Sequence, residues 1–222
     1  TRPNLFLTSM KLFKNIKNWL ENQEHLFYLF LFILIVPNIV LCFTEPLPFM
    51  AKVANVLLPF GCYYLLMTLS RNCGKMLWIL FLFLFFGAFQ IVLLYLFGQS
   101  IIAVDMFLNL VTTNSSEALE LLDNLTPAII AVIILYVPAL ILGTISIIRK
   151  RKLTVEFIRR ERKRAFLVFG ISLLSLVGAY VQDSGYELKS DLYPLNVCYN
   201  VGLAFQRTAL TQDYHRTSKD FT

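Results

Sequence analysis

Charged side chains are scarce in this chain, making up 15% of its 222 residues, against about 25% in an average soluble domain. Hydrophobic residues account for 57%, and 20 residues are Phe. That balance excludes a large soluble core and describes an integral membrane protein. Histidine is nearly missing: His25 and His215 are the only two, too few to build a zinc site from several His and Asp ligands. Cys42, Cys62, Cys73 and Cys198 match no zinc spacing, and two of them lie in apolar runs. They read as small apolar residues rather than as metal ligands or disulfides. The formal net charge of +6 is concentrated in a few segments, which makes nucleic acid a poor partner. No cleavable signal peptide is evident, because the first long apolar run starts near Leu26 and no Ala-x-Ala site follows it. The chain opens on Thr1 rather than Met and reads as cut at its start.

What is present is a series of apolar runs of the length that spans a bilayer, about 20 residues each. They are Leu26 to Phe43, Ala51 to Leu69, Met76 to Phe97, Pro127 to Ile148 and Ala165 to Val181. The expected fold is all-α: a polytopic membrane protein of five transmembrane helices, with amphipathic helices outside the membrane. Pro37 and Asn38 predict a kink in the first span, and Asn55 and Pro59 interrupt the second. Pro127 suits the first turn of the fourth. Residues 1–24 mix Arg2, Lys11, Lys14 and Lys17 with Leu12, Phe13, Ile16, Trp19 and Leu20 at helical spacing. They read either as an amphipathic helix on the membrane surface or as a frayed basic tail. Residues 25–181 form the membrane domain, and 182–222 are amphipathic and polar, with no span.

The positions of Lys and Arg orient the spans. Arg71 and Lys75 follow the second span, and nine basic residues lie between Arg149 and Arg164, which read as a loop. With the basic N-terminal segment, these regions share one side in a five-span arrangement, which makes that side, and the N-terminus, cytoplasmic. The basic cluster either binds acidic lipid head groups or is simply the topology signal.

The stretch from Gly98 to Thr126 has no Lys or Arg at all, and carries Asp105, Glu117, Glu120 and Asp123. Asp105, Asn109, Thr113 and Glu117 recur every fourth residue, which on a helix turns the direction by only about 40° per step and makes a slanted polar stripe. Three readings stay open. The carboxylates could face water while Leu108, Val111 and Leu119 lie on lipid. Asn114 and Glu117 could form a capping box. Or the stripe could hold a primary ammonium, whose three donors suit a carboxylate beside amide and hydroxyl groups. The sequons Asn114-Ser-Ser116 and Asn124-Leu-Thr126 also fall here; they are glycosylation acceptors in a secretory eukaryotic protein and chance in a bacterial one.

The run Asn109-Leu-Val-Thr-Thr113-Asn114-Ser-Ser-Glu117-Ala118 resembles the N-x-x-x-T-N-x-x-E-A signature of the phosphoethanolamine transferases. That family modifies lipid A and related surface glycolipids of Gram-negative bacteria and confers polymyxin resistance. The resemblance covers the whole chain: five spans, N-terminus inside, a helical periplasmic segment between spans three and four, and a linker after span five. Ser115 departs from the pattern, since many members have Pro there.

The resemblance implies a multi-pass inner-membrane protein with a periplasmic helical segment at 98–126 and a cytoplasmic loop at 149–164. Residues 182–222 would then be a periplasmic linker toward a sulfatase-like α/β domain. It implies that Asn109, Thr113 and Glu117 bind the head group of phosphatidylethanolamine, with Asp105 and Asn114 less firmly involved. It places zinc and a threonine nucleophile in the sulfatase-like domain, so this chain alone holds no catalytic residue and no metal ligand. The acceptor would be lipid A or another glycan. The alternative is a self-contained five-helix binding or transport protein without enzyme activity. The spans contain almost none of the intramembrane charges or paired broken helices that transporters use, Lys52 lying at an end and Asn55 and Gln90 being neutral, which favours the transferase reading.

The orientation is testable in a cysteine-free background with Ser115→Cys or Thr154→Cys. On intact spheroplasts a membrane-impermeant thiol reagent should label the first and spare the second. Equal labelling of both would sink the five-span topology.

Overall fold

The computed structural model describes residues 3–97 and 115–219, with side-chain detail for residues 7–95 and 125–211. The described residues form helices and connecting turns, with no strand. In chain order the helices are α1 (Pro3–Glu21), α2 (Gln23–Thr44), α3 (Phe49–Met67), α4 (Cys73–Ile79), α5 (Phe81–Phe97), α6 (Ser115–Ile148), α7 (Val155–Gln182), α8 (Leu188–Asp191) and α9 (Leu195–Lys219). α2, α3, the later part of α6, and α7 are each long and apolar enough to cross a membrane; α4 and α5 together make a fifth, bent candidate. The architecture is that of a multi-pass membrane protein.

α2 lies at the centre. It packs against α3 on one side and against α4, α5 and α6 on the other, while α3 makes its most extensive contact with α7. Phe27, Phe30, Leu31 and Leu34 of α2 are buried in the main core with Tyr64, Met67, Leu77 and Phe157. Outward-facing residues such as Phe32, Ile134, Leu167 and Leu174 are more than half exposed, as suits side chains that face lipid.

Small residues set the closest approaches, as expected where helices associate without a hydrophobic drive between them. A Cβ on Gly61 of α3 would lie 3.1 Å from Phe169 Cα of α7. On Gly74 of α4 it would lie 2.2 Å from the Gly143 carbonyl oxygen of α6. On Gly87 of α5 it would lie 2.8 Å from both Pro37 Cγ and Tyr136 Oη. These contacts explain a departure from the expected third span. The run from Met76 to Phe97 is not one straight helix: α4 and α5 meet at an angle of 63°. No Pro or Gly stands at the break. The chain is instead held at two points: Gly74 lies against the backbone of α6, and Gly87 fits between Pro37 and Tyr136. The bend at Leu80 accommodates both.

Two further expectations are corrected. The segment from Arg149 to Arg164 is not a loop throughout. Only its first residues are, and from Val155 onward it is the start of α7. Thr154 Oγ1 accepts from the Phe157 N–H at 3.2 Å as the N-cap, and Arg, Lys and Glu are good helix formers. Pro127 is not in a first turn either, because α6 begins at Ser115 and runs through both Pro127 and Pro138. Residues 115–126 and the fourth span are one continuous helix. α2 likewise runs through Pro37 as a single helix.

The N-terminal segment is a helix rather than a frayed tail. Phe13, Ile16 and Trp19 are exposed on α1, with Lys11, Lys14 and Lys17 interleaved, the pattern of a helix lying in an interface. Its end is tied to the loop after α6. Arg151 Nη1 donates to the Glu21 carbonyl at 2.9 Å, and Arg149 lies 3.5 Å from the Glu21 carboxylate.

Gly74→Ala is expected to lower the melting temperature in detergent strongly, since overpacking against backbone costs about 1–3 kcal/mol or more. Gly143→Ala should cost less, because its Cβ would first meet Leu77 Cδ2 at 3.3 Å, the end of a flexible side chain. An unchanged melting temperature in Gly74→Ala would show that the two helices do not touch at this pair.

Candidate functional site

Two polar residues inside the spans, Asn38 and Asn55, meet where α2 and α3 receive the segment after α7. The arrangement begins with a proline. Pro59 has no N–H, so the carbonyl of Asn55, one turn earlier in α3, loses its helical partner. Among lipid and apolar side chains that carbonyl must find another donor. Asn38 of α2 supplies it: its Nδ2 donates to the Asn55 carbonyl at 3.0 Å and to the Tyr193 carbonyl at 2.8 Å. Asn38 is 2% exposed, and its bond to the Tyr193 carbonyl is buried.

The Asn55 side chain extends the connection outward. Its Nδ2 donates to the Asp191 carbonyl at 2.7 Å, and its Oδ1 accepts from the Tyr186 hydroxyl at 2.5 Å. Burial, with the nearby Asp191 carboxylate, holds the Tyr186 hydroxyl above its ordinary pKa, which keeps it a donor. Gln182 Oε1, at the end of α7, accepts from the Met50 N–H at 2.8 Å. Tyr193 and Val197 then pack into a small core with Leu41 and Leu93. The segment that leaves the membrane domain is therefore sewn onto the bundle end opposite the basic residues, and α9 departs from there. Asn38, Leu41, Glu45, Asn55, Asp191 and Tyr193 line a space of about 10 Å³, room for about one water molecule and far too small for a lipid head group.

At the basic end, Glu161 of α7 is fully buried. It accepts from the Tyr64 hydroxyl, from Arg160 Nε at 3.0 Å and from Arg164 Nη1 at 3.0 Å. Asn72 ties the turn before α4 to the loop after α6, donating to the Ser146 and Arg151 carbonyls at 3.1 and 2.9 Å.

Of the residues expected to bind the head group, Asn109 and Thr113 lie outside the described residues, as do Asp105 and Asn114. Glu117 falls in the first turn of α6, with its side chain outside the described detail. Among the residues with described side chains, no group of three His, Cys, Asp or Glu could hold a metal ion; the zinc implied by the resemblance belongs to the sulfatase-like domain, not to this chain. The four cysteines are free thiols.

The Asn38–Asn55 connection was missed in the sequence, where both residues read as isolated interruptions of apolar runs. A signal existed: Asn55 stands four residues before Pro59, so its own carbonyl is the one that proline orphans. Glu161 carried no comparable signal in a segment crowded with Arg and Lys. No protein-family model, no curated protein and no solved structure matches the chain.

Asn38→Leu leaves two buried carbonyls without donors and is expected to cost about 1–3 kcal/mol. It should also loosen the segment 183–193. Limited proteolysis in detergent should then cut there sooner than in the unaltered protein while the spans stay intact. Unchanged cutting rates would show that Asn38 does not hold that segment.

Proposed function

We propose that this chain is the membrane portion of a phosphoethanolamine transferase. It would sit in the bacterial inner membrane, with the N-terminus cytoplasmic and the acidic stretch and C-terminal segment periplasmic. The observation that carries the reading is the run from Asn109 to Ala118: amide, hydroxyl, amide and carboxylate at the family's spacing, between the third and fourth spans, in a stretch with no basic residue. The structure is compatible with it in two respects. α6 begins at Ser115, so Glu117 stands in the turn that leads into the fourth span. The segment after α7 is anchored at the opposite end of the bundle from Arg71 and α7's basic turns.

In this reading the chain does two things. It anchors the enzyme, and it holds the ammonium of phosphatidylethanolamine so that the phosphate is presented to a catalytic domain outside the membrane. The Glu117 carboxylate supplies the charge, and Asn109 and Thr113 accept the remaining ammonium hydrogens. There is no substrate proton for this chain to move. The transfer itself releases diacylglycerol and passes phosphoethanolamine to lipid A or a related glycan. It needs a nucleophile and metal that this chain's described residues do not provide, so the purified chain is expected to bind lipid without transferring.

Glu117→Gln tests the head-group role because it removes charge and keeps shape and capping ability. A charge-assisted hydrogen bond in a partly dry site contributes about 1.5–3 kcal/mol, so in the enzyme that contains this chain turnover should fall about tenfold or more at unchanged melting temperature. Asn109→Ala and Thr113→Ala should fall with it. If Glu117→Gln keeps full turnover while Glu117→Ala loses about 1 kcal/mol of stability, the residue is a helix cap and the head-group assignment fails.

A further inference from the structure

We infer that the basic end of the bundle carries a binding site for the phosphate of an anionic membrane phospholipid, in a cavity between the first turns of α7 and the turn after α3. The cavity has a volume of about 500 Å³ and is lined by Arg71, Arg159, Arg162 and Lys163, with Ile158 and Phe166 among its apolar walls. No carboxylate lines it. Residues 158, 159, 162, 163 and 166 share one face of α7 by helical spacing, so the convergence of charge is built into the helix.

The opposite side of α7 shows why these cations are left over. Arg160 and Arg164 turn to the buried Glu161, each at 3.0 Å, and that carboxylate is committed to them and to Tyr64. On the cavity side, Arg162 Nη2 donates to the Thr68 carbonyl at 2.7 Å and Arg71 Nε to the Leu153 carbonyl at 2.9 Å. Both partners are neutral. They fix the two guanidinium groups in place without cancelling their charge, and each Arg keeps further N–H donors. Leu153 N–H donates back to the Arg71 carbonyl at 2.7 Å, which stiffens that wall. Arg159 and Lys163 are exposed, and among the described residues neither is paired with an acid. Four cations around one cavity repel one another until an anion enters. Guanidinium groups suit phosphate because their planar donors match its oxygens.

The walls choose the source of the phosphate. Phe166 is 60% exposed and continues into Leu167 and Leu174, exposed at 66% and 73% along the apolar part of α7. An acyl chain can therefore lie on α7 while its head group occupies the cations, at the level where basic residues meet lipid head groups. A topology signal alone requires positive charge on this side. It does not require a cavity, or guanidinium groups already held by neutral carbonyls.

The test uses the purified full chain in phosphatidylcholine vesicles containing a small fraction of acyl-chain spin-labelled phosphatidylglycerol or phosphatidylcholine. Electron spin resonance reads the motionally restricted fraction of each. The unaltered protein should prefer phosphatidylglycerol. Arg159→Gln with Lys163→Gln should reduce that preference about thirtyfold, at roughly 1 kcal/mol for each cation removed. Lys150→Gln with Lys152→Gln removes the same charge from the neighbouring loop and should leave the preference within about twofold. Exchanging the two cations, Arg159→Lys with Lys163→Arg, should restore it. Equal loss from both Gln pairs, or no loss from either, overturns the site in favour of general charge. Displacement of the labelled lipid by inorganic phosphate at matched ionic strength overturns the lipid as ligand and makes the site one for free phosphate.

Discussion

A carbonyl that has lost its helical partner inside a membrane must be given another, because neither lipid nor apolar side chains can supply one. In this protein the need arises at Asn55, one turn before Pro59, and Asn38 meets it. The consequences spread from that bond. Asn38 has a second donor hydrogen, which reaches the Tyr193 carbonyl, and the side chain of Asn55 is left to engage Asp191 and Tyr186. A local backbone defect in α3 thus fastens α2, α3 and the segment beyond α7 into one unit. Any domain that follows α9 is attached to the bundle through this junction, and the direction in which α9 leaves depends on it.

The second constraint is steric. With so few charges in the spans, helix pairing rests on how closely backbones approach. The contact of Gly74 with Gly143 and the fit of Gly87 between Pro37 and Tyr136 decide the course of the third span and bend it. Charge is confined to the ends and divided there by Glu161. This one carboxylate sits under α7, binds two of its arginines and leaves the other face of the helix strongly positive. The proposed head-group stripe and the proposed phosphate site would then lie at opposite ends of one bundle, with opposite charge, as suits ligands of opposite sign.

Much was legible in the residues themselves. All five candidate spans were recognisable as apolar runs, four of them single long helices and the third a bent pair, because a bilayer sets the length of a spanning helix and excludes charge from it. The amphipathic character of α1 followed from the spacing of Phe13, Ile16 and Trp19 among its lysines. The stretch from Asn109 to Glu117 was conspicuous because its small polar residues have no place in a lipid-facing run.

Other features had no local signature. The break at Leu80 has neither Pro nor Gly, since its cause lies in α6 and α2, which hold its two halves. The charged residues after Val155 looked like a loop, since density of charge does not distinguish solvated chain from helix; Thr154 as cap and the burial of Glu161 against Tyr64 made it helix. Nor could Asn38 and Asn55 be paired by inspection, although each stood beside or one turn from a proline. Composition and periodicity determined which segments enter the membrane, because that is a question of transfer from water and is answered residue by residue. Tertiary structure alone decided which polar groups meet, where the third span bends and which arginines remain uncompensated, because each of these depends on what a second helix places within hydrogen-bonding or van der Waals distance.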